Sequence, residues 1–262
     1  MTTDLHVETS GEGPAVVLVH SSGLSGRQWK RLVPVLVERK LRVVVPDLTG
    51  HGASAPWPEP QPFSFRTDVE RIAAILRAEG GAHLLGHSYG ALVAIHAALA
   101  APDAVRTLTL YDPVTFGVFD ARDDDARATL RVVAPYWGTT AEEHEGWLRR
   151  FVDYWGGAGA WMALREDARA EFRRVGWVVR EGVKTLMEDT TPASTFAAAL
   201  TMPVHLVTGE HTPVAARRII QRLGEAIPGA TTNVVPGVGH MGPLMAPDVV
   251  NRLFVEGIAR AQ

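Results

Sequence analysis

Ala82-His83-Leu84-Leu85 is a short apolar run that leads into Gly86-His87-Ser88-Tyr89-Gly90 and then into Ala91-Leu92-Val93-Ala94-Ile95-His96-Ala97-Ala98, an apolar stretch of helical length. One serine therefore sits where a strand passes into a helix, with glycine two residues before it and two after. A strand-to-helix turn this sharp leaves no room for side chains at the flanking positions, because a Cβ there would meet the adjoining strand or helix. The turn lifts the Ser88 hydroxyl out of the sheet and aims the backbone N–H of Tyr89 at the place where an oxyanion would form. The same five residues could make an ordinary glycine-rich turn; the strand before and the helix after favour an exposed nucleophile.

Working outward, Ala15-Val16-Val17-Leu18-Val19-His20 and Leu41-Arg42-Val43-Val44-Val45-Pro46-Asp47 are β-branched runs ending in turn formers, the pattern of strands buried on both faces. Further strands are expected at Leu84 to Ser88, Thr107 to Tyr111, Val204 to Thr208 and Thr232 to Val235. Between two of them, Thr67-Asp68-Val69-Glu70 has capping-box spacing, Val69, Ile72 and Leu76 fall on one helical face, and Gly80-Gly81 stops the helix. Strand and helix in alternation predict an α/β fold with a mostly parallel, doubly wound sheet.

The alternation breaks between about Phe116 and Ser194. Five of the seven tryptophans lie there (Trp137, Trp147, Trp155, Trp161, Trp177), with Trp147, Phe151 and Tyr154 on one helical face. The reading is a helical cap at 116–194 inserted into a core formed by 1–115 and 195–262. Most of these aromatics are expected to hold cap helices together, with Trp137 and Trp155 as candidates for lining a substrate pocket. Gly156-Gly157-Ala158-Gly159 reads as a turn, since no strand precedes it and no Lys-Ser/Thr follows, as a phosphate loop would need.

Net charge is −3 with both signs interspersed, which leaves no basic stripe for nucleic acid or anionic lipid. The absence of cysteine removes disulfides, thiolate catalysis and cysteine-held metals. Met1-Thr2-Thr3-Asp4-Leu5-His6 has neither a basic region nor an apolar core, and no apolar run approaches the ~20 residues of a membrane span. A cytoplasmic monomer or homodimer acting on a small molecule, without nucleic acid or membrane, is expected.

A serine hydroxyl needs a base, and chain order places that base downstream, after the last strand. Gly237-Val238-Gly239-His240-Met241 supplies it on a glycine-flanked loop. Of the other nine histidines, His6, His51, His144 and His211 read as surface or turn residues and His83, His96 and His205 as parts of regular elements. His87 neighbours the serine but points elsewhere from the turn.

These residues together resemble the α/β-hydrolase family over nearly the whole chain outside the cap. Val19-His20-Ser21-Ser22-Gly23 is similar to the family's oxyanion loop after its third strand. Pro46-Asp47-Leu48-Thr49-Gly50-His51-Gly52-Ala53-Ser54 is similar to its D-x-x-G-x-G-x-S turn, and Gly239-His240-Met241 to its histidine loop. The resemblance implies eight strands, a cap after strand six, Ser22 N–H as the second oxyanion donor beside Tyr89, and His20 near the substrate. Ser21 departs from the family's usual glycine. In Gly209-Glu210-His211-Thr212-Pro213, threonine stands where the family usually holds its catalytic aspartate. Some branches carry the acid at the end of strand six instead, where this chain has Leu110-Tyr111-Asp112-Pro113. Asp112 lies at the carboxyl end of a predicted strand, the ligand-binding edge of an open α/β sheet, and is the preferred acid. It could also simply begin a turn before proline; Glu210 is the alternative acid.

The expected activity is hydrolysis of a small carboxylic ester through an acyl-enzyme, with Ser88, His240 and Asp112 catalytic and no metal or organic cofactor implied. Ser88 argues against the family's haloalkane dehalogenase and epoxide hydrolase branches, which need aspartate there. The alternatives the resemblance implies are a C–C bond hydrolase, whose cap usually supplies an arginine to the substrate carboxylate, a perhydrolase, and a ligand-binding homologue without turnover, which Thr212 favours.

Overall fold

In a computed structural model, residues 5–134 and 136–260 are described. Seven strands form one sheet in the order β1-β3-β2-β4-β5-β6-β7: β1 (Val7–Ser10), β2 (Ala15–Val19), β3 (Arg42–Pro46), β4 (Ala82–His87), β5 (Val105–Tyr111), β6 (Val204–Gly209) and β7 (Thr231–Val235). All neighbours run parallel except β1, which pairs antiparallel with β3. The six apolar runs fall on β2 to β7. The resemblance implied eight strands; among the described residues there are seven, so the cap follows the fifth. β1 carries no sequence signal because all four of its residues are exposed and none alternates into the core.

Alternate residues of the buried strands feed two cores, as the twofold side-chain period requires. Val17, Val19, Leu84 and Leu206 pack on one face beneath α2 (Phe65–Ala78), α3 (Tyr89–Ala100) and α9 (Val214–Ala226). Val16, Leu18, Leu85 and Val207 face the other side, toward Leu36 of α1 (Val33–Glu38) and Phe254 of α11 (Pro247–Ala259), which follows the short α10 (Gly242–Met245). The expected buried face of α2 holds, with Val69, Ile72 and Leu76 in the core, and the chain turns at Gly80-Gly81 with φ of +66° and +101°. The capping box does not: α2 begins earlier, capped by Ser64, whose side chain accepts from Arg66 N–H at 3.3 Å. Asp68, in the first turn of α2, is buried.

Between β5 and β6 lie α4 (Asp124–Thr129), α5 (Ala141–Gly156), α6 (Ala160–Ala163), α7 (Glu166–Met187) and α8 (Ala193–Ala199). Trp161 of α6 meets Phe172 of α7 with centroids 6.2 Å apart, and other cap aromatics pack within α5 or against it. Trp147 and Trp161 are buried, Trp147 stacks on Phe151 with centroids 5.2 Å apart, and Trp137 stacks on His144 at 4.3 Å. The cap rests on the core where the Phe172 ring of α7 covers Gly23; a Cβ at Gly23 would collide with that ring. No helix of the described residues is long and apolar enough to cross a membrane.

Candidate active site

Ser88 occupies φ +56°, ψ −118° between β4 and α3, a region costly for any residue with a side chain. The glycines make that turn possible. A Cβ on Gly86 would strike the Gly90 carbonyl, and one on Gly90 would strike the carbonyls of Val19 and His20. Ser88 N–H donates to Tyr111 O at 2.9 Å, and Ser88 O accepts from Ala91 and Leu92 at 2.9 and 3.0 Å, so the main chain is tied on both sides.

From the loop after β7, His240 Nε2 lies 2.9 Å from Ser88 Oγ, and its Nδ1 lies 3.2 Å from Asp112 Oδ2. A carboxylate only accepts, so Nδ1 carries the proton and Nε2 is left to accept from the serine. Four hydrogen bonds, from β4, β5 and the turn after β6, hold this loop. His87 Nε2–H donates to His240 O at 2.9 Å, Tyr111 O–H to Gly239 O at 2.8 Å, Gly237 N–H to Glu210 Oε2 at 2.8 Å, and His211 N–H to Val238 O at 2.8 Å. Glu210 is exposed and braces the loop's backbone. Burial, reinforced by the nearby His240, pushes His87 well below the usual histidine range, so it stays neutral.

Asp112 follows β5 at φ +46° and is fully buried. Its Oδ2 accepts from Thr212 Oγ1–H at 2.7 Å as well as from His240, while Oδ1 has no hydrogen-bond partner among the described residues. The vacant family position thus supplies a donor to the acid on the neighbouring strand.

Tyr89 opens α3, where its N–H precedes the helical hydrogen-bond ladder, and Ser22 stands opposite on the loop after β2. The resemblance implies His20 near the substrate, but the structure buries it behind this loop. Its Nδ1–H donates to Ser21 O at 2.8 Å and its Nε2 accepts from Leu48 N–H at 2.9 Å. His51 is likewise buried within its turn, bonded to Thr49 O at 2.9 Å and accepting from Gly23 N–H at 3.1 Å. Burial lowers His20 and brings His51 down to about 4, so both imidazoles are neutral. Asp68, missed from sequence, accepts from Thr49 N–H at 3.0 Å and from Tyr89 O–H at 2.9 Å, linking the turn after β3 to the start of α3. No local pattern marks it, because its partners Thr49 and Tyr89 lie 19 and 21 positions away.

A narrow cavity of about 20 Å³ opens on Ser88 between the core and the cap. Ser22, Tyr89 and Trp155 border it, and apolar side chains such as Val114, Val133 and Leu186 complete it; among the described residues no charged side chain lines it. The Trp155 ring lies 4.4 Å from that of His240 at 34°. Trp137 is not part of this lining and belongs to the cap interior.

The sequence matches the alpha/beta hydrolase family over residues 16–253. The chain belongs to this family. Within it, this α/β hydrolase is 43% identical to lipase LipV of Mycobacterium tuberculosis over 117 residues, which spans 43% of each chain. Against a pimeloyl-[acyl-carrier protein] methyl ester esterase of Chromobacterium violaceum it is 32% identical over 252 residues, covering 90% of this chain and 91% of the relative. A thermophilic esterase from Thermogutta terrifontis superposes with a TM-score of 0.73 over 98% of this α/β hydrolase and 93% of that chain; at 20% identity the likeness is one of fold.

Proposed function

We propose that the protein is a serine hydrolase that cleaves a small-molecule carboxylic ester through an acyl-enzyme. The observation that carries this reading is the unbroken line from Ser88 Oγ to His240 Nε2 and from His240 Nδ1 to Asp112 Oδ2. Ser88 Oγ attacks the ester carbonyl and passes its proton to His240, whose positive charge Asp112 stabilises. The N–H groups of Ser22 and Tyr89 receive the oxyanion. His240 then protonates the departing alcohol, and a water activated by the same imidazole releases the acid.

The relatives named as a lipase and as a methyl ester esterase support ester chemistry. The uncharged pocket supports it further, since a substrate carboxylate lodged there would lose hydration without gaining a partner. That weighs against C–C hydrolysis of a carboxylate-bearing substrate.

The test is labelling with a fluorophosphonate probe together with turnover of a p-nitrophenyl ester panel. Ser88→Ala is expected to abolish both while the circular dichroism spectrum is unchanged. Labelling that persists in Ser88→Ala would remove Ser88 as the nucleophile.

A further inference from the structure

We propose that Thr212 is a positioning residue whose hydroxyl holds the Asp112 carboxylate in the orientation that meets His240. The inference rests on the Ser88–His240–Asp112 reading above and adds to it a residue in no contact with the reacting atoms.

Asp112 has few other restraints on its side chain. Oδ1 is without a hydrogen-bond partner among the described residues, and Oδ2 takes both available donors, Thr212 Oγ1–H at 2.7 Å and His240 Nδ1–H at 3.2 Å. The shorter contact is the one to threonine. A carboxylate held only by a mobile imidazole can rotate about its last bond; a second donor on the same oxygen fixes the plane. Thr212 is suited to this because it is itself fixed. It is buried, its N–H donates to Gly209 O at 3.2 Å, and its carbonyl accepts from Arg217 Nε–H at 3.0 Å. The backbone of Asp112 is tied to the same strand, through Asp112 N–H to Val207 O at 3.0 Å. β6 and the turn after it therefore hold the acid at main chain and side chain together.

The threonine hydroxyl also draws negative charge from Oδ2, which weakens the carboxylate's pull on a proton at His240. Other titratable or charged groups around the pair are His87 from β4, His20 after β2, Tyr111 from β5, Glu210 and His211 beside Thr212, and Arg217 of α9, which bonds the Thr212 carbonyl. Burial keeps His87 and His20 neutral and holds the Tyr111 phenol protonated, and Glu210 and His211 are exposed. All persist in Thr212 variants, so a difference between variants reports on the hydroxyl.

The experiment compares Thr212→Val, which keeps the shape and loses the hydroxyl, with Thr212→Ser, which keeps the hydroxyl. kcat, KM and the pH profile of kcat/KM are measured on a p-nitrophenyl ester, alongside thermal melting and fluorophosphonate labelling. Thr212→Val is expected to lower kcat roughly 10- to 100-fold with KM nearly unchanged, as a misplaced catalytic group does. Its acid limb should move to higher pH, and Thr212→Ser should restore both. A folded, labelled Thr212→Val with wild-type kcat and an unmoved limb overturns the proposal. If valine prevents folding, Thr212→Ala against Thr212→Ser decides, and equal loss in the two overturns it. Persistent labelling of Ser88→Ala would instead count against the ester hydrolase reading itself.

Discussion

Asp112 and Glu210 lie on adjacent strand ends but in opposite surroundings, so different roles are expected of them. Asp112 is fully buried against His240 Nδ1, whereas Glu210 is exposed and bonded to the Gly237 backbone. Asp112→Asn would keep the fold and favour the wrong imidazole tautomer, so kcat is expected to fall by about 10² to 10⁴. Glu210→Gln should change kcat only a few-fold, since an amide oxygen can still accept from Gly237. Steady-state kinetics of the two variants check this; a nearly silent Asp112→Asn with a severe Glu210→Gln would transfer the role of acid to Glu210. The turn at Ser88 is legible in sequence because Gly86 and Gly90 leave no room for a Cβ, and the His240 loop because Gly237 takes a left-handed φ of +67°. The link between Asp112 and Thr212 is not legible, since the two lie a hundred positions apart and meet only when β5 and β6 pair. His20 misleads for the converse reason: a motif names its position on the loop and says nothing about which way the ring turns.

At the scale of elements, α5 carries the contrast between cap aromatics. Trp155, in its last turn, borders the cavity and lies on the His240 ring, while Trp137, just before the helix, packs on His144 and Trp147. Trp155→Ala is therefore expected to lower kcat and alter the ranking of acyl chain lengths. Trp137→Ala should leave that ranking intact and lower stability by about 3–5 kcal/mol, the range for an emptied aromatic core site. A p-nitrophenyl ester series and denaturant melts distinguish the two; an unchanged ranking in Trp155→Ala would mean the pocket is set elsewhere. Helical periodicity revealed the cap as a set of helices, but both tryptophans carry the same period and only the packing of cap on core separates them. The edge strand β1 escaped for a related reason, because an element that buries nothing has no hydrophobic pattern to read.

Across the whole molecule, neutral histidines are built into the interior. Burial lowers His20, His51, His83, His87 and His205, with His51 brought to about 4 from 6.5. Below 6.5 the unfolded chain takes up protons that the folded chain refuses, so stability is full above that pH and declines as pH falls toward 4. His51 alone accounts for a decline on the order of 3 kcal/mol. Melting temperature is expected to fall from pH 7.5 to 4.5, and His51→Gln, though less stable at pH 7.5, should fall less steeply. Equal slopes in the two proteins would rule out His51 as a source of the decline. The doubly wound architecture could be read from the order of apolar runs, yet neither the neutral state of these imidazoles nor the closeness of cap to core could, because both depend on distant packing. The elbow at Ser88 is set by its main chain. Its unusual main-chain shape is enforced by Gly86, Gly90 and the bonds to Tyr111, Ala91 and Leu92, none of which uses the serine hydroxyl. The seat is thus independent of its occupant: a thiol or a carboxylate placed there would inherit a ready-made exposure and a neighbouring imidazole, so this scaffold can exchange one reaction for another by changing a side chain without redesigning the turn.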